Sequence, residues 1–143
     1  MPKYVATGTL APGLKVGGSD LSDHVRSIDV QMTAADVDIT AMGAVSLEHA
    51  PGLRDDRFTI TFFQDFDASK VDAVLSPLIG VAAGTTVVAY AHGVTASSTA
   101  PSYTMVGVLL DYHPIALGAP GEASQTPVTF VPAPGSYITR ATT

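Results

Sequence analysis

The chain has 143 residues, a formal net charge of −6, no Cys and no Trp. Disulfides and thiolate metal sites are therefore excluded. Binding of nucleic acid through a basic patch is not expected, because the 7 Lys and Arg are scattered.

Charged residues make up only 14% of the chain, against a usual share of about 25%. A dispersed monomer normally carries more charge than this. Either neighbouring copies cover much of the surface, or the surface is rich in Ser and Thr. The charge is also uneven. From Ala73 onward the only formally charged residues are Asp111, Glu122 and Arg140, so that half is expected to be largely buried. No apolar run approaches the roughly 20 residues of a transmembrane helix. The opening MPKYVATGTL lacks the apolar stretch of a signal peptide, which suggests a cytoplasm-like setting. The length fits one domain.

Residues 1–12 suggest an arm or a first edge strand. Leu14 and Val16 precede Gly17-Gly18-Ser19-Asp20, a short strand and its hairpin turn. In Val25 to Met32, the side chains of Ile28, Val30 and Met32 share one face and Val25 is out of phase. A bulge near Arg26 or Ser27 would reconcile them. Asp36 to Met42 alternates again, with Val37, Ile39 and Ala41 opposite Asp36, Asp38 and Thr40. Residues 43–57 break the pattern with Pro51-Gly52 and the charge run Arg54-Asp55-Asp56-Arg57. They read as a long loop, which in a compact domain is usually functional or disordered.

Phe58, Ile60 and Phe62 alternate with Thr59 and Thr61, the pattern of a half-buried strand. Asp67 has the chemistry of an N-cap for a short amphipathic helix containing Lys70 and Asp72, which Pro77 and Gly80 end. Thr85 to Tyr90 is a β-branched strand. Tyr103 to Tyr112 is nearly all apolar, so both its faces should be covered. Val128 to Val131 is a strand, Ala133-Pro134-Gly135 a turn, and Tyr137 to Arg140 a terminal strand or arm. About seven or eight short strands with one helix predict a mainly β fold, a β-sandwich or open barrel with one flanking helix.

The chemistry-bearing residues form no catalytic pattern. His24, His49, His92 and His113 make no zinc spacing. Asp55-Asp56 could hold a metal, but Arg54 and Arg57 compensate them as a solvated loop would. Asp36 and Asp38 share a strand face without needing a catalytic role. No Ser lies in a nucleophile elbow, and the glycines around Gly13, Gly17 and Gly18 make no phosphate loop. Phe58, Phe62, Phe63 and Phe66 lack interleaved bases and suit a core better than a base-stacking platform. Neither an enzyme nor a cofactor is expected.

The passages GLKVGGSDLSDHVRSIDVQM, ADVDITAMG and GLRDDRFTITFFQDFDASKVDAVLSPL resemble the tail tube (major tail) proteins of long-tailed bacteriophages. The resemblance covers roughly residues 13–80 and is looser beyond. It implies a structural virion protein made in the host cytoplasm. Hexameric rings would close a continuous β-barrel and stack helically, with other tail proteins as partners. DNA would slide through an acidic lumen without specific binding, and no membrane would be involved.

The resemblance assigns ring stacking to 43–57, with Leu47, Glu48, His49, Leu53, Arg54, Asp55, Asp56 and Arg57. It assigns inter-ring arms to residues 1–12 and 133–143, and the acidic lumen to Asp29, Asp36 and Asp38. The chain is short for the family and lacks an added immunoglobulin-like domain. Three alternatives remain: a capsid decoration or minor head protein; a head-tail joining or tail terminator protein; and a small-molecule-binding barrel or enzyme with a pocket at Phe62, Tyr90 and Leu109.

Overall fold

A computed structural model of the chain describes residues 12–116 and 119–143. Strands β1 (Gly13–Val16) and β2 (Ser19–Asp20) form a hairpin around Gly17 and Gly18. Both glycines have positive φ, 58° and 87°, the conformation that a two-residue hairpin turn of matching twist requires. A 3-10 turn at Ser22–His24 leads into β3 (Val25–Gln31). Then follow β4 (Ala34–Asp38), β5 (His49–Arg54) and β6 (Arg57–Phe63). Helix α1 (Val71–Leu75) runs into a second 3-10 turn at Ser76–Leu78. The remaining strands are β7 (Thr85–Tyr90), β8 (Ser102–Tyr112), β9 (Gln125–Pro132) and β10 (Thr139–Ala141).

Among the described residues, eight strands join one open antiparallel sheet in the order β2-β1-β7-β8-β9-β6-β3, with β10 also on β8. The length of β8 makes this possible. One side of β8 carries β7; the other carries β10 at Ser102–Thr104 and β9 from Gly107 onward. The sheet wraps an apolar core of Leu14, Phe58, Ile60, Phe62, Met105, Leu109 and Phe130, with Val71 and Leu75 of α1 facing it. Each fully buried Phe contributes about 1.5–3 kcal/mol relative to exposure. Helix α1 is too short to stand alone. It holds because Val71 and Leu75, four residues apart, are both completely buried. The Tyr112 hydroxyl ties it further, donating to Asp72 Oδ1 at 2.9 Å and accepting from Gln64 Nε2 at 3.0 Å.

The β3 bulge lies where the sequence suggests, between Val25 and Ser27. Four expectations change. Asp67 does not cap the helix: the N-cap is Lys70, with no side-chain cap bond. Ser69 sits between them in a left-handed conformation, φ 62°, which separates Asp67 from the first helical turn. Asp65 organises this loop instead, its Oδ1 accepting the Asp67 N–H at 2.9 Å and its carbonyl the Asp72 N–H at 3.1 Å. The 43–57 loop is half strand, because β5 tolerates Pro51 on the rim of a two-stranded sheet. In β8 one face is core, whereas Val106 and Leu110 are exposed within the single chain. Phe62 and Leu109, expected in one alternative to line a pocket, belong to the packed core.

Candidate functional site

Strands β4 and β5 form a separate two-stranded sheet that leaves the main body as a hairpin. Its register runs Asp38↔His49, Val37↔Ala50 and Asp36↔Pro51, with a bulge before Ala34↔Arg54. Beyond the strands, Ile39 N–H donates to the Glu48 carbonyl at 2.9 Å, and Glu48 N–H to Thr40 Oγ1 at 2.7 Å. Backbone pairing thus reaches Ile39 and Glu48, and the Thr40 hydroxyl carries the hairpin one residue further. Every residue of β4 is exposed. At the tip Met42 and Val45 are fully exposed, and along the arms Ile39, Leu47 and, near the base, Leu53 are more than half exposed. Apolar side chains gathered on one projection are unusual for a free monomer and typical of a contact surface.

The base of the hairpin is fastened by a buried carboxylate. Asp56 is 0% exposed. Its Oδ1 accepts the Thr33 N–H at 3.0 Å and its Oδ2 the Ile138 N–H at 2.8 Å. The Arg54 guanidinium adds bonds of 2.6 Å to Oδ2 and 3.3 Å to Oδ1. Arg54 also donates to the Ile138 carbonyl at 3.4 Å and lies 5.0 Å over the Tyr137 ring. Burial alone would raise the Asp56 carboxyl. The Ile138 and Thr33 N–H groups and Arg54 outweigh it and hold the group below the ordinary 3.8.

This clasp joins both ends of the hairpin to the segment before β10. It revises the view of Arg54-Asp55-Asp56-Arg57 as a solvated charge run. Asp55 and Arg57 do pair in solvent at 3.2 Å, but Asp56 is interior. The sequence carries no local signal for this, because the partner Ile138 lies 82 residues away.

The three acidic candidates fall on two sheets. Asp29 is exposed on β3, opposite Thr59 of β6. Asp36 and Asp38 are exposed on the hairpin, on β4. His49 Nδ1 lies 2.7 Å from Asp36 Oδ1, and Asp38 Oδ1 accepts the Thr40 N–H at 2.9 Å. Bonds from Thr40 hold the Asp38 carboxyl below its ordinary value.

Asp29 belongs to the side of β3, β6 and β9 that faces away from the core. Registers there align Asp29 with Thr59 and Thr129, and Ser27 with Thr61 and Pro127. This face is hydroxyl-rich, and Arg57, two residues before Thr59 on β6, lies on the same side as Asp29. At the rim, among the described residues β3 pairs only with β6, and no other described strand lies along the far side of its seven residues. At the sheet's opposite end lies the two-residue β2. Towards the C-terminus, Ile138 is buried and β10 pairs with β8, so this stretch is part of the sheet. The suggested N-terminal arm, 1–12, lies outside the described residues except for Pro12.

Among the described residues no group of three or more His, Asp or Glu could hold a metal ion. Nor is any described helix long and apolar enough to cross a membrane.

No family model matches the chain, and no curated protein matches it. A solved structure does resemble it in fold, a chain in the tail of an empty GTA particle computed with helical refinement in C6 symmetry. The TM-score is 0.62 at 13% identity, and the similarity covers 94% of this chain and 99% of that one. What the two share is the fold, matched over nearly the whole of both chains; in this chain it is a mainly β, open-sheet domain with one short flanking helix.

Proposed function

We propose that this chain is a structural tail subunit, which forms six-membered rings that stack into a tube for DNA. The observation that carries this reading is the near-complete fold match to a chain of a C6 tail. An open sheet supports it, because an unpaired edge can accept a neighbour's strand and a head-to-tail contact closes when its rotation does. The exposed side of β3 is the edge proposed for ring closure. The hairpin, with Leu47, Glu48, His49 and Leu53 on its outer arm and Arg54 to Arg57 at its base, is proposed to reach the next ring. Asp29, with the hydroxyl-rich face around it, is proposed to line the channel; Asp36 and Asp38 would add negative charge from the hairpin. On this wall Arg57 is engaged by Asp55, and the subunit's net charge of −6 disfavours retention of DNA.

Electron microscopy of the purified protein over a concentration series tests the proposal. Hollow rings with six-fold averages, giving way to tubes as concentration rises, are the expected result. A uniform monomer at the highest soluble concentration would overturn it. Single rings that never lengthen would favour a terminator-like subunit.

A further inference from the structure

A second charged cluster lies away from the hairpin, where the 3-10 turn before β3 meets the β6–α1 loop. His24 Nδ1 is 2.8 Å from Asp23 Oδ1, and Nε2 is 2.7 Å from Asp65 Oδ2. The His24 side chain is only 17% exposed. An ionised carboxylate can only accept a hydrogen bond, and a neutral imidazole has just one N–H. A neutral ring would therefore aim a lone pair at one of the two carboxylates. Only the doubly protonated ring satisfies both contacts.

We propose that His24 is a proton-controlled latch between the start of β3 and the β6–α1 loop, closed while the ring holds both protons and released when it loses one. Asp23 faces the ring from its own turn and Asp65 from the loop. The positive charge of Lys70, just ahead of α1, acts on both carboxylates. The other Asp65 oxygen is engaged by the Asp67 N–H, so the loop side of the latch is fixed in place.

Burial alone would lower the His24 pKa, but the bonds to Asp23 and Asp65 outweigh it and raise the value above 6.5. The latch therefore contributes fully below 6.5 and weakens as pH rises through the raised value. Asp23 is lowered mainly by its bond to His24, and Asp65 mainly by the Asp67 N–H. Their share holds above 3.8 and fades as pH falls through the depressed values. The closed window runs from the depressed carboxylate values up to the raised His24 value. The latch holds the strand whose free edge is proposed above to close the ring. Its effect on assembly rests on that reading, but the latch itself does not.

The test uses dilute full-length protein, below any assembly. Ring-nitrogen NMR, with His24 assigned by comparison with His24→Gln, follows protonation across roughly pH 5 to 9. Amide exchange at residues 22–28 and 64–70, corrected for intrinsic rates, follows the contact. We expect His24 to titrate above 6.5, and protection at both segments to fall about tenfold through that titration. In His24→Gln this pH-linked loss should vanish, and in Asp65→Asn the ring should titrate lower. A ring carrying one proton at about pH 6 would overturn the latch. So would the same loss of protection in His24→Gln. If His24→Gln does not fold, the titration in the parent chain and in Asp65→Asn decides. An absence of rings at any pH would fault the assembly reading and leave the titration result unchanged.

Discussion

Asp56→Ala is expected to destabilise the fold by about 3 kcal/mol and to loosen the whole hairpin. The substitution strands two backbone donors, Thr33 N–H and Ile138 N–H, and leaves Arg54 without its carboxylate. An unsatisfied buried donor costs about 1–3 kcal/mol by itself. Arg54 is 37% exposed, so water screens part of its lost partner, and the estimate stays at the low end for a broken ion pair. Urea denaturation reads the first effect and amide exchange across 34–54 the second. Asp56→Asn should cost less, because it retains an acceptor. A change below about 1 kcal/mol in Asp56→Ala would mean the clasp is ornamental. The pH dependence has a definite sign. The Asp56 pKa is depressed, so its contribution is present above 3.8 and lost as pH falls through the folded value. The parent chain should therefore lose its stability advantage over Asp56→Ala in acid.

The second large effect is on assembly and leaves the fold intact. The triple substitution Met42→Ser, Val45→Ser, Leu47→Ser removes apolar groups that the isolated chain leaves exposed. The melting temperature should barely move. If the tip is buried against the next ring, each lost side chain forfeits about 1.5–3 kcal/mol per contact. Three per subunit should raise the concentration needed for tube growth by well over 100-fold, since ~1.4 kcal/mol is a factor of ten. Turbidity or pelleting against concentration measures this, with microscopy to score tube length. Tubes forming at the parent concentration would remove the tip from the stacking contact. The substitutions avoid Arg54 and Asp56, so a loss of tubes could not be blamed on the clasp.

The main sheet was legible wherever one face is core and the other is not. Phe58, Ile60 and Phe62 are all fully buried, as their alternation implies, and Thr85–Tyr90 is a strand over those bounds. The bulge was legible for the same reason, since Val25 breaks a period that Ile28 and Val30 keep. The hairpin was only half legible. Its first strand alternates, but β5 buries no face, so no period betrays it, and Pro51-Gly52 reads as a turn. The helix start failed because an aspartate in cap position is common, whereas the positive φ of Ser69 depends on the fold around it. Asp56 and the His24 pair were illegible because each needs a partner remote in sequence: Ile138 at 82 residues and Asp65 at 41. The roles in stacking and in the channel wall came from resemblance, and the experiments above bear on them directly.

The clasp at Asp56 also sets an order of events during synthesis. The hairpin leaves the ribosome early, but its footing needs Ile138, which is made 82 residues after Asp56. At about 5–20 residues per second, that interval is roughly 4–16 s. Throughout it the base of the hairpin lacks its Ile138 bond and keeps only those from Thr33 and Arg54, so the apolar tip is less firmly aimed. Nascent chains stalled before residue 133 should show an unprotected 34–54 segment in amide exchange; a protected one would mean the hairpin sets itself. Neighbouring polysomal chains would thus carry sticky but loosely aimed tips, and polymerisation would wait for the subunit to be finished.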